Sequence, residues 1–208
     1  MPNADVGTPR TRLLGPIGME VRVPPAVLKF AYRYRGELVA LPLVYALLCS
    51  WHEYENEPIL WLAAGITFML GFALRVWSQQ HLHFRLKMEM ALTNTGPYSL
   101  VRNPIYIGNT LICMALTIGS EVMWLLPVTL LNCVIVYAMV VRHEESHLTE
   151  KYGEEYLAYM QQVPRWIPRR LSGAKLQWSR DYLRVSLRAE AYNLLLIVPL
   201  LLKEILIK

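Results

Sequence analysis

Apolar positions along this chain gather into long runs. Four stand out: Leu38 to Trp51, Ile59 to Val76, Ile105 to Gly119 and Val122 to Val141. Crossing about 30 Å of hydrocarbon takes roughly 20 helical residues, and the first and third runs look short by that measure. The first helix is therefore expected to begin earlier, around Ala26 to Phe30, with Lys29, Arg33 and Arg35 reaching toward headgroups. A fifth run, Ala191 to Leu202, is interrupted by Pro199 and followed by Lys203, so it either spans, re-enters or lies in the interface. The pattern predicts an all-α, polytopic helical membrane protein. It has four to five transmembrane helices, cytoplasmic connecting loops and C-terminal cytoplasmic helices.

Composition agrees with that reading. With 54% apolar residues, 12 Tyr and 6 Trp in 208 residues, the chain suits one membrane domain rather than several soluble ones. Its net charge of +5 would suggest a nucleic-acid partner in a soluble protein. Here the basic residues are read by the side of the membrane they flank, and no nucleic acid is expected. Six Lys/Arg precede the first run, four lie from Arg75 to Arg102 and nine from Arg142 to Arg188, whereas the loop from His52 to Pro58 has none. The positive-inside rule then makes the N-terminus, the central loop and the segment after Val141 cytoplasmic. Residues 1–26 read as a loose basic arm without a cleavable signal pattern, 27–190 as the membrane domain and 191–208 as a C-terminal apolar helix. Arg180, Arg184 and Arg188, spaced four apart, read as a basic interfacial stripe or a solvated face. Cys49, Cys113 and Cys133 sit inside apolar runs without CxxC spacing and read as small packing residues.

Two stretches carry candidate chemistry. His143-Glu144-Glu145-Ser146-His147 matches HExxH, in which two histidines one helical turn apart bind zinc and the glutamate acts as general base. No histidine follows His147, so a third ligand would have to be acidic, such as Glu154 or Glu155. Glu145 also places a second charge where zinc-protease helices usually pack an uncharged residue. The other stretch, Thr93 to Asn109 (TNTGPYSLVRNPIYIGN), leads into the third run. Gly96-Pro97 makes a turn, and Asn103-Pro104 stand as N-cap and first helical residue. Helix-start chemistry leaves Arg102 unexplained, a full charge at the mouth of an apolar helix.

GPYSLVRNPIYIG resembles the RHPxY element of the isoprenylcysteine carboxyl methyltransferase family and its phospholipid N-methyltransferase relatives. About forty residues later, EESHLTEKYGEEYLAYMQQVPRWIP resembles their second element, a Glu pair followed by an FGxxYxxY-type helix and a closing Pro. GFALRVWSQQHLH resembles the family's second-helix exit, so the likeness runs from about Gly71 to Pro168. Asn103 stands where the family usually has histidine, and it can donate and accept hydrogen bonds but cannot titrate.

The resemblance implies a membrane methyltransferase that binds S-adenosylmethionine at the cytoplasmic face and takes a lipid-like acceptor from the bilayer, with no metal. The cofactor site is expected from the 93–109 and 142–168 elements. Its cofactor-binding residues would be Tyr98, Arg102, Asn103, Pro104, Tyr106, Glu144 and Glu145. Arg165 or Arg142 would meet the carboxylate of an isoprenylcysteine-type acceptor. If the acceptor were the amine of a phospholipid or another small amphiphile, Glu144 or Glu145 would be the base. A membrane zinc protease using His143, Glu144 and His147 is the more distant reading.

Overall fold

The computed structural model describes residues 23–48, 57–84, 92–169 and 180–207. Every regular element in those stretches is helical. The helices are α1 (Pro25–Arg33), α2 (Arg35–Leu48), α3 (Glu57–Phe84), α4 (Pro104–Gly119), α5 (Leu125–Tyr152), α6 (Glu154–Gln162), α7 (Arg180–Leu195) and α8 (Ile197–Ile207), with a 3₁₀ turn at Gly96–Ser99.

Two helices are long and apolar enough to cross a membrane by length and composition, Pro58–His83 and Leu125–Tyr152, and Pro104–Gly119 is a shorter apolar helix. Their outward faces are apolar. On α3, Ile59, Leu62, Ile66, Met69 and Leu70 are exposed, and on α5 Val128, Leu131, Val134 and Ile135. A hydrocarbon solvent accounts for such faces where water would not.

Several boundaries differ from those read in the sequence. The first helix begins at Pro25, near the expected start, but Tyr34 interrupts it at φ −108°, ψ 25°, dividing α1 from α2. Residues 49–56, including Trp51 and most of the loop from His52 to Pro58, lie outside the described residues. Helix α3 continues past Val76 to Phe84, because no helix breaker intervenes, and so carries His81 and His83 in addition to Arg75. Helix α5 starts at Leu125 rather than Val122 because the preceding residues form the turn, where Glu121 adopts φ 65°. It then runs unbroken to Tyr152, which puts the glutamate pair on the last turns of the same helix. Helix α7 passes through position 190 without a break, and the interruption falls at Leu196. Pro199 is tolerated in the first turn of α8, where its missing N–H has no intrahelical acceptor to serve.

Helix α4 is the most enclosed element and lies against α3 through glycines. A Cβ on Gly71 would come within 2.8 Å of the Gly108 carbonyl oxygen, and one on Gly108 within 2.6 Å of Arg75 Cγ. Small residues at a crossing let two backbones approach where side chains would hold them apart. Below that crossing, Phe68, Ile112, Ala115, Leu116 and Leu200 form one apolar core, and Cys133, Val136, Tyr137, Val140 and Val141 of α5 belong to another that includes Tyr106 and Ala31.

Polar groups inside the bundle are satisfied across helices. Pro42 sits within α2 and has no N–H for the Leu38 carbonyl. Asn132 of α5 supplies the missing donor, its Nδ2 lying 3.0 Å from Leu38 O. Arg75 grips Glu190 of α7 with two bonds, Nε to Oε2 at 2.5 Å and Nη2 to Oε1 at 2.9 Å, and Glu190 is fully buried. Lys203 of α8 donates to Ala46 O at 2.9 Å, tying the C-terminal helices to the end of α2.

Asn132→Leu removes the surrogate donor and is expected to cost about 1–3 kcal/mol, the scale of an unsatisfied buried carbonyl. In a Pro42→Ala background the chain regains its own N–H, so the same substitution should cost less. Thermal unfolding of the four proteins in detergent measures the difference, and an equal cost in both backgrounds would contradict it.

Candidate active site

The segment before α4 is held in place from three sides. Gly96 opens its turn at φ +58°, and a Cβ there would overlap the His81 ring at 2.4 Å. His81 is buried on α3, and its Nδ1 lies 3.3 Å from Thr95 Oγ1. From the other side Tyr159 of α6 donates its hydroxyl to the Tyr98 carbonyl at 2.7 Å. The Arg102 N–H donates to Pro164 O at 2.9 Å, and Asn103 Nδ2 reaches Arg165 O at 3.4 Å. Asn103 does occupy the N-cap position, but its side chain makes no capping bond because its amide is turned toward the 164–165 strand of chain.

This lacing builds a cavity of about 350 Å³ at one end of the α4–α5 hairpin. Its walls include Tyr98, Arg102, Asn103, Pro104 and Tyr106 from the first element and Glu144 and Glu145 from the second. All seven residues expected to bind a cofactor therefore line one chamber. Tyr32 of α1, His147 and Tyr152 of α5 and Tyr156 and Tyr159 of α6 also line it, with Leu82, Leu92, Ile105 and Leu148 as apolar wall.

The two glutamates have different surroundings. Glu145 is buried and lies between two guanidiniums: Arg102 Nη1 is 3.0 Å from its Oε1, and Arg165 bonds it through both Nε, at 3.1 Å, and Nη2. Two cations thus share one carboxylate. Arg102 Nε and the Thr93 hydroxyl, both buried on the cavity wall, have no hydrogen-bond partner, which fits a polar occupant. Glu144 instead accepts a 2.6 Å hydrogen bond from the Tyr106 hydroxyl. Burial holds the Tyr98, Tyr156 and Tyr159 hydroxyls well above the usual phenol range, with Glu145 adding to the effect at Tyr156 and Tyr159 and Arg102 opposing it. They are neutral donors near pH 7.

The remaining expected residues fall less centrally. Arg165 touches the site through Glu145 and does not line the cavity, and Arg142 is exposed on α5 away from it. His143 and His147 stack edge to face at 4.6 Å; His143 also packs on the Tyr32 ring at 4.9 Å, and His147, largely exposed beside Glu150, lines the rim of the cavity. Among the described residues no group of three His, Cys, Asp or Glu is placed to hold a metal ion. Glu144, the base that a zinc site would require, is bonded to Tyr106. Sequence reasoning missed His81, which lies fifteen positions before the Gly96-Pro97 turn it abuts and so carries no local signal, and Tyr32, whose only signal was its nearness to the first span.

Gly96→Ala is expected to lower the unfolding midpoint through both the ring overlap and the left-handed φ, the latter alone about 1–2 kcal/mol. In a His81→Ala background only the φ cost remains, so the same change should cost less there. Equal losses in both backgrounds, measured by thermal unfolding, would contradict the contact.

Residues 59–155 match the family model described as phospholipid methyltransferase. The protein-S-isoprenylcysteine O-methyltransferase of Rattus norvegicus is 30% identical over 155 residues, covering 62% of this chain and 52% of the relative. The nickel-cobalt-cadmium resistance protein NccN of Alcaligenes xylosoxydans xylosoxydans is 27% identical over 157 residues, covering 72% and 71%. The cobalt-zinc-cadmium resistance protein CzcN of Cupriavidus metallidurans is 30% identical over 105 residues, covering 49% and 47%. The chain thus spans about half the length of the isoprenylcysteine methyltransferase it matches. No solved structure matches it. The matched segment runs from the first turn of α3 through α5 and includes every cavity residue expected from the two motifs, and over it the chain is similar to phospholipid methyltransferases and to isoprenylcysteine O-methyltransferases.

Proposed function

We propose that this chain is an integral membrane methyltransferase that uses S-adenosylmethionine, and that it methylates the carboxylate of an isoprenylcysteine-type acceptor. The observation that carries the reading is the meeting of both motifs in one cavity, with Arg102 and Glu144 on its wall. Arg102, whose Nε has no partner, would hold the cofactor's carboxylate. Glu144 would face its ammonium or ribose, while Tyr98, Asn103, Pro104 and Tyr106 shape the wall. Glu145 acts one step back by holding Arg102 and Arg165 in place. Leu82, Leu92 and Leu148 keep water from the reacting atoms.

Held by Arg102 and Glu144, the cofactor would supply an electrophilic methyl group on its sulfonium for transfer to the acceptor oxygen. A carboxylate is already ionised at neutral pH, so the protein need only align it. An amine acceptor, such as a phospholipid headgroup, is the second reading. It is favoured by Glu144 and its 2.6 Å bond to Tyr106, a carboxylate placed to take the departing proton. Labelled S-adenosylmethionine with a prenylcysteine and with phosphatidylethanolamine as separate acceptors distinguishes the two.

Arg102→Ala should weaken cofactor binding by about tenfold or more, since charge-assisted bonds contribute roughly 1.5–3 kcal/mol. Glu145→Gln should lose most activity by releasing two arginines, while His143→Ala with His147→Ala should keep much of it. An inactive, zinc-depleted double-histidine variant beside an active Glu145→Gln would overturn the methyltransferase reading in favour of the zinc one.

We place the N-terminus and the cavity on the cytoplasmic side, on the strength of the basic residues flanking α1, α4 and α6. A cysteine at position 56 should then react with an impermeant reagent added outside intact cells, and one at Asn94, which is exposed, should not. Labelling at 94 from outside would reverse the orientation.

A further inference from the structure

The sequence leaves the acceptor's cationic partner to Arg165 or Arg142, and neither is placed for it. Arg165 is committed to Glu145, and Arg142 lies off the cavity. An anionic acceptor approaching Glu144 would meet repulsion unless a cation stood on that side. The break at Tyr34 provides one. It folds Arg35 back over the last turn of α1, where Nη1 donates to Tyr32 O at 2.8 Å and the guanidinium carbon lies 4.7 Å from the centre of the Tyr32 ring. Tyr32 is cavity wall, and the charge of Arg35 acts on both Glu144 and Tyr106. Lys29, six positions before Arg35, acts on half-buried His143 instead.

We propose that Arg35, held on the Tyr32 ring at the α1–α2 break, is the specificity-determining cation that receives the acceptor's carboxylate at the Glu144 side of the cavity. The inference rests on the methyltransferase reading above. The exposed guanidinium keeps unfilled N–H groups for a second planar oxyanion, while the Tyr32 carbonyl and ring fix its plane. Arg35 stands outside the lining itself, on the ring of the wall residue Tyr32, so Arg102 with Arg165 would serve the cofactor's carboxylate from within and Arg35 the acceptor's from beside Tyr32. An exposed arginine at a helix start can also simply extend to lipid headgroups, and Arg33, exposed two residues earlier with its guanidinium 5.6 Å from the Tyr34 ring, is the comparison that separates the two roles.

The test uses the full chain in lipid nanodiscs. Equilibrium binding is measured for N-acetyl-S-farnesylcysteine and for its carboxamide, alongside the Kd for S-adenosylmethionine and the KM for the carboxylate acceptor. The parent protein should bind the carboxylate more tightly than the carboxamide. Arg35→Ala should abolish that preference and raise KM by about tenfold or more, Arg35→Lys should restore part of it, and cofactor Kd should not move. Arg33→Ala should leave all four quantities unchanged. A carboxylate preference that survives Arg35→Ala, or that falls equally with Arg33→Ala, would overturn the inference while leaving the methyltransferase reading intact. A parent protein that binds no S-adenosylmethionine would overturn that reading and this inference with it.

Discussion

The carboxylate of Glu145 is the joint on which the rest of the site depends. It is buried, and it is shared by a guanidinium from the start of α4 and another from the chain beyond α6. An ionised group there is tolerable only because both partners are present, since removing one side of a buried ion pair leaves an uncompensated charge. The joint fastens three segments that are remote in sequence. In doing so it sets Arg102 on the wall of a cavity whose other lining is mostly tyrosine and leucine, with Glu144, Asn103, Thr93 and His147 as further polar groups.

The helices are positioned for this by polar bonds that cross the bundle. In a hydrocarbon surrounding, every backbone carbonyl needs a partner within the protein, so Asn132 substitutes for the hydrogen that Pro42 lacks. The same economy applies to Arg75, a charge well inside α3, which Glu190 neutralises from 115 positions away. The stem of Arg75 lies under Gly108, and the close α3–α4 crossing there seats the helix that bears Arg102 and Tyr106. Packing and site geometry are thus one arrangement: the glycines set how closely α4 lies, and that distance sets where its first turn meets the last turns of α5.

Much of this was legible in the residues. Continuous apolar runs carry their own secondary structure, because only helices close their backbone bonds within one segment, and the Arg102 and Glu144–Glu145 elements were placed at one end of one hairpin by counting alone. Other features depend on contacts that no local pattern encodes. The break at Tyr34 leaves no proline or glycine at the residue itself, Glu190 reads as an ordinary surface acid on a polar helix, and nothing near Arg142 or Arg165 distinguishes the arginine that turns outward from the one that turns in. His81 is similar, since its role is defined by the turn pressed against it. The division of labour between Glu144, bonded to a phenol, and Glu145, bonded to two arginines, follows from a helical rotation of one residue, which the sequence cannot rank without knowing what surrounds the helix.

The central claim is that the segments 93–109 and 142–168 enclose one S-adenosylmethionine site. Ultraviolet crosslinking of labelled S-adenosylmethionine to the purified protein, followed by peptide mapping, tests it without reference to any acceptor. The account requires saturable label, displaced by unlabelled cofactor, in peptides from those two segments. Label confined to the outer half of α3 or to α8, or no saturable label in folded protein, would contradict it.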